Sequence, residues 1–139
     1  FLEKISVIDE GVIAAEVGVS AMHDITEGGL LGACYEVAHA SGVGVEVYQD
    51  LLPLLPETRE ICRVFGIDPL GLISSGSMLI CTPRAEEVVE ALKSNNIPAT
   101  VIGKVTSGGN YIVTQEGKRP LLPLERDELI RATEKVQKP

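Results

Sequence analysis

The residues best suited to chemistry lie in one short run, His23-Asp24-Ile25-Thr26-Glu27-Gly28-Gly29, just before Leu30. Short polar side chains turn the chain, and two glycines lead it into a helix-like pattern. The first N–H groups of a helix have no partner inside it and attract anions, and glycine lets a phosphate approach the backbone closely. Asp24 and Thr26 could hold a ligand or a metal there. They could equally cap the helix, because a small polar residue followed by flexible glycine is how many helices begin.

A second run, Asp68-Pro69-Leu70-Gly71-Leu72-Ile73-Ser74-Ser75-Gly76-Ser77, puts small hydroxyl residues around a glycine before an apolar stretch. Ser74, Ser75 and Gly76 could form a backbone nest for an anion, or an ordinary Ser/Gly turn. The remaining candidates have simpler readings. His23 is read as structural, since adjacent strand residues point to opposite faces. His39 falls near a helix end, where a cation is favoured. Glu57, Glu60, Glu86, Glu87 and Glu90 read as solvated helix surface. Cys34, Cys62 and Cys81 are odd in number and widely spaced, which suits buried core thiols better than a disulfide framework or metal site. No Ser-His-Asp order, Walker loop or metal-ligand cluster stands in the sequence.

The elements that must position these runs can be read from periodicity. Leu2, Ile5, Ile8, Val12 and Ala15 predict a helix over 2–17 with those residues inward, stopped by Gly18. A buried strand is expected over 19–23. A helix follows the glycines, with Leu30, Cys34, Val37, Ala38 and Ser41 on one face. Alternation predicts a half-buried strand over 43–48. A proline-containing loop over 50–56 precedes a helix over 57–65 with Ile61, Cys62 and Phe65 inward. A strand is expected over 77–81, then a helix over 83–94 capped by Thr82. Strands over 99–105 and 111–115 are expected to pair through Ser107-Gly108-Gly109-Asn110, and a helix over 125–136 closes the chain. Alternating strands and helices followed by a strand-rich ribbon imply a mixed sheet covered by helices, in one domain spanning 1–139.

Composition narrows the function classes. The chain has 139 residues, 45% hydrophobic and 23% charged, with 20 acidic against 12 basic residues for a net charge of −8. A phosphate backbone needs a surplus of Lys and Arg, so nucleic acid is not an expected partner. No apolar run approaches the ~20 residues that span a bilayer, so no membrane association is expected. The free cysteines suit a reducing cytoplasm. The chain opens at Phe1, directly into a helical pattern, so a natural N-terminal part is expected elsewhere.

Order and spacing add what the single runs lack. His23-Asp24-Ile25-Thr26-Glu27-Gly28-Gly29-Leu30, then Glu36-Val37-Ala38, then Gly42-Val43-Gly44-Val45-Glu46-Val47 resemble the C-terminal domain of the aminoimidazole ribonucleotide (AIR) synthase superfamily. This superfamily includes selenophosphate synthetase, thiamine-monophosphate kinase and the hydrogenase-maturation carbamoyl dehydratase. Phe65-Gly66-Ile67-Asp68-Pro69-Leu70 and Ile102-Gly103-Lys104-Val105 look most like the hydrogenase-maturation branch. The resemblance implies an α/β fold of three layers, α/β/α, with a mixed sheet of partly ferredoxin-like topology.

It further implies a parent with an N-terminal domain that dimerises and supplies most ATP and Mg2+ ligands. The active site would be an interdomain cleft for a small phosphorylated ligand, with Asp24, Thr26, Gly28 and Gly29 facing it. This domain would be inactive alone. Three departures bear on the chemistry. Ile73-Ser74-Ser75-Gly76-Ser77 lacks the glutamate and lysine of the dehydratase pattern, Thr26-Glu27 replaces its Thr-Arg, and no cysteine follows Cys81. The dehydratase's carbamoyl chemistry, which uses a terminal cysteine, is therefore not expected of a chain ending at Pro139. The competing expectation is a stand-alone small-anion-binding or protein-interaction module.

Overall fold

A computed structural model describes residues 5–137. Five α-helices, α1 (Ile8–Val17), α2 (Gly29–Ser41), α3 (Pro56–Phe65), α4 (Ala85–Ser94) and α5 (Glu128–Gln137), are interspersed with six strands, the last three of which are consecutive. These are β1 (Ala21–Asp24), β2 (Gly44–Tyr48), β3 (Met78–Cys81), β4 (Gly103–Thr106), β5 (Asn110–Thr114) and β6 (Gly117–Pro120). The expected mixed α/β fold is present, with its strands divided between two sheets. One is the antiparallel pair β1–β3; the other is mixed, in the order β4-β2-β5-β6.

The expected β4–β5 hairpin does not form, because β2 lies between them, antiparallel to β4 and parallel to β5. Strand β2 is the most buried strand of this sheet, and its central place buries both Val45 and Val47. The 107–109 link crosses the end of β2 above Gly44. A Cβ on Gly44 would lie 2.2 Å from the Gly109 carbonyl oxygen, so only glycine leaves room for the crossing. The actual hairpin is β5–β6. Strand β6 has no counterpart in the sequence expectations, because Gly117-Lys118-Arg119-Pro120 carries no apolar alternation and is exposed throughout.

The first helix begins at Ile8, later than expected, and Leu2 lies outside the described residues. Its inward face also differs. Ile8 and Val12 are 72% and 54% exposed, whereas Ala14 is fully buried with Val88 and Leu92 of α4. In α3, Cys62 is buried but Ile61 is 54% exposed. Helix α4 starts at Ala85, with Arg84 rather than Thr82 at the N-cap. The Thr82 hydroxyl accepts the Arg84 N–H at 3.0 Å and donates to the Gly18 carbonyl at 2.8 Å. It thereby ties the end of α1 to the start of α4.

The main core joins α2 to the mixed sheet through Leu31, Cys34, Val45, Val47 and Ile112. Burying a side chain such as Ile112, which has no exposed surface, contributes about 1.5–3 kcal/mol. This core and the hydrogen bonds at its edge fix where β1 releases the Asp24 turn.

Candidate functional site

The two chemistry-bearing runs, some fifty positions apart in sequence, meet at one end of the β1–β3 pair. Asp24 pairs with Met78, and the Ile25 N–H donates to the Ser77 carbonyl at 2.8 Å. Asp24 and Thr26 are exposed there, as is Ser75, while Ser74 and Gly76 are half-buried. The Ser77 N–H closes a turn on the Ser74 carbonyl at 3.1 Å, and the two serine hydroxyls lie 3.0 Å apart.

The glycines behave differently from the sequence expectation. The Gly28 N–H donates to Asp127 Oδ2 at 2.8 Å, and the Gly29 N–H donates to the Thr26 carbonyl at 3.1 Å. Both amides expected to receive a phosphate are thus engaged within the chain. A carboxylate already satisfies one of the orphan donors at the start of α2 and complements the helix dipole. Gly28 and Gly29 have φ of 77° and 59°, in the left-handed region. A Cβ on Gly29 would stand 2.5 Å from the Leu70 carbonyl oxygen and 2.6 Å from that of Leu72. Gly29 is therefore a packing residue, with no room for a larger side chain.

Two participants were not assigned a role from the sequence, where Asp127 was missed and Glu36 was read only as part of a motif. Asp127 is 6% exposed; besides Gly28 it accepts the Leu129 N–H at 2.8 Å, capping α5. An aspartate just ahead of a helical pattern is the signal that could have revealed it. Glu36 lies on α2, where its Oε2 is 2.8 Å from His23 Nε2. Burial works against the charged form of His23. The Asp24 carbonyl and the Glu36 carboxylate outweigh it, so the His23 pKa lies above its ordinary value. His23 thus links β1 to α2, as a structural reading requires.

Burial pushes the Cys34 thiol up to about 12, with Cys81 adding to the shift, and also raises Cys62 and Cys81. These are protonated core thiols rather than nucleophiles. Among the described residues no group of three or more His, Cys, Asp or Glu side chains is placed to hold a metal. No helix among them is long and apolar enough to cross a membrane.

Comparison with known proteins places this geometry in a family. Residues 2–116 match the model of the AIR synthase related protein, C-terminal domain. The chain belongs to the AIR synthase-related family. Relatives that it matches include proteins of the hydrogenase-maturation branch. Carbamoyl dehydratase HypE of Rhodobacter capsulatus is 41% identical over 75 residues, covering 54% of this chain and 22% of that protein. The crystal structure of Escherichia coli HypE superposes with a TM-score of 0.81 at 31% identity, over 91% of this chain and 41% of that one. A structure of HypE in complex with ATP gives a TM-score of 0.70 at 27% identity, over 82% of this chain and 38% of that one. The AIR synthase-related domain described here thus spans well under half the length of these relatives.

The Asp24–Gly29 turn does not by itself fit a nucleotide. Its two glycine amides are occupied, and the nearest charged neighbours in sequence, Asp24 and Glu27, are acidic. What remains is an exposed polar edge formed by Asp24, Thr26 and Ser75. Beside it lies an apolar shoulder, a shallow groove lined by Ile8, Val12, Met22 and Asp24.

Proposed function

We propose that this domain is one wall of an interdomain nucleotide and substrate cleft in an ATP-dependent, HypE-like parent. The other wall, with most ligands for ATP and Mg2+, belongs to an N-terminal domain, and the domain alone has no catalytic activity. The observation that carries this reading is the exposure of Asp24, Thr26 and Ser75 at one end of the β1–β3 pair, beside the Gly28 and Gly29 amides, which are already engaged. Such an edge can line a site but cannot cradle phosphates alone. The apolar shoulder of Ile8, Val12 and Met22 is the kind of surface a second domain covers. The ATP complex of a related HypE supports the choice of nucleotide. The parent acts in the cytoplasm as a homodimer, on a small phosphorylated ligand.

The test compares ATP turnover by the 139-residue chain and by the full-length product of its gene. Turnover by the full-length protein alone is expected. Enzyme-like turnover by the isolated chain would overturn the division of labour. A full-length product with no additional domain would favour a binding module.

A further inference from the structure

The two sheets do not join. Among the described residues, strand β3 pairs only with β1, and β4 only with β2. A cavity of about 550 Å³ lies between them, lined by every residue of 76–82 and of 97–105. Successive strand residues point to opposite faces, so a cavity touching all of them runs along the strand edges rather than over one face.

The hydrogen-bond phase agrees. Ile25 donates to Ser77, which makes His23–Leu79 and Ala21–Cys81 the bonded pairs of the β1–β3 ladder. The N–H and C=O groups of Met78 and Ile80 therefore point away from β1. Likewise the Tyr48 N–H donates to the Ile102 carbonyl, so Ile102 and Lys104 face β2. The polar backbone groups of Val101, Gly103 and Val105 then point away from β2. Two strand edges with outward-facing donors and acceptors flank one slot.

Of the two edges, β3 is built unlike the sheet's free edge, whereas β4 carries one exposed lysine, Lys104. Strand β6 is exposed and carries Lys118, Arg119 and Pro120, residue types that discourage strand addition. Strand β3 reads Met78-Leu79-Ile80-Cys81, with neither charge nor proline. An apolar, unprotected edge is one that a native protein covers.

We propose that the slot receives an extended apolar segment from the remainder of the longer chain, pairing with β3 on one side and β4 on the other. The inserted strand would join the two sheets into one of seven strands. This rests on reading the domain as part of a longer parent. The length outside it is ample, since the domain matches only 41% of the E. coli HypE chain. Main-chain bonds would supply affinity and the apolar walls would select side chains, as in other strand additions.

The test is amide hydrogen exchange, resolved to single residues, on the 139-residue chain and on the full-length protein. The amides of Met78, Ile80, Val101 and Gly103 should exchange quickly in the isolated chain and at least about tenfold more slowly in the full-length protein. Slow exchange already in the isolated chain would mean that β3 and β4 bond to each other, which overturns the proposal. Fast exchange in both would overturn it too, because nothing enters the slot. The mass of the full-length product decides the two-domain reading separately. A longer product without new protection defeats the slot alone, and a product no longer than this chain defeats both.

Discussion

Asp127 and Gly28, 99 positions apart, are joined by a 2.8 Å hydrogen bond from the glycine N–H to the aspartate Oδ2. The bond closes the start of α2 with the residue that also caps α5, so the C-terminal helix is fastened to the candidate site. Replacing Asp127 with alanine removes both interactions and leaves the Gly28 amide without its partner. A stability loss of about 1–3 kcal/mol is expected, with asparagine recovering part of it. Urea denaturation would show it as a lower midpoint at unchanged slope. A loss below about 0.5 kcal/mol would mean that water replaces the carboxylate without cost.

The two glycines of the turn should respond unequally. Gly29→Val places a side chain against the Leu70 and Leu72 carbonyls and should cost more than about 3 kcal/mol, enough to abolish soluble expression. At Gly28 the nearest obstacle to a Cβ is the Gly32 Cα at 3.6 Å, an ordinary contact. Gly28→Ala should therefore cost only the left-handed backbone strain, about 1–2 kcal/mol. Melting curves followed by circular dichroism would rank the two, and equal effects would contradict the packing described.

The His23–Glu36 pair predicts a pH dependence with a definite sign. Because the folded state raises the His23 pKa, its contribution is complete below the unfolded value of about 6.5 and is lost as pH rises through the folded value. The stability difference between the native sequence and Glu36→Gln should be larger near pH 6 than near pH 8. Proton NMR titration of the His23 ring should show its pKa fall in the variant. A pKa indifferent to Glu36 would remove the pair from the account.

The thiols should be inert in the folded chain. With Cys34 held up to about 12 by burial and all three thiols raised, alkylation at pH 8 should be slow until denaturant is added. Intact-mass spectrometry would count the labels. Rapid native-state labelling of Cys34 would show that the α2 core opens readily.

The polar, glycine-containing runs were legible in order and spacing, and the branch through the family resemblance that these runs carry. Asp24, Thr26, Gly28 and Gly29 stand between a strand and a helix because glycine positions and apolar periodicity are local properties of the chain. Helix α2, helix α4 and strand β2 were readable for the same reason. Helix α1 shows where this ends. It carries Ile8, Val12, Ile13, Ala14 and Val17 around much of its circumference, and only packing on α4 selects Ala14 over Ile8 and Val12 for burial.

Sequence determined that this chain is an α/β domain with a polar, glycine-rich turn at a helix start. Tertiary structure alone decided what that turn can do. Asp127 reaches it from 99 positions away, and the Leu70 and Leu72 carbonyls close over Gly29. The same holds for β2 between β4 and β5, where the Gly44 gap lets the connection cross. Local spacing sets which backbone groups need partners. Which distant residue meets that need depends on how the whole chain packs.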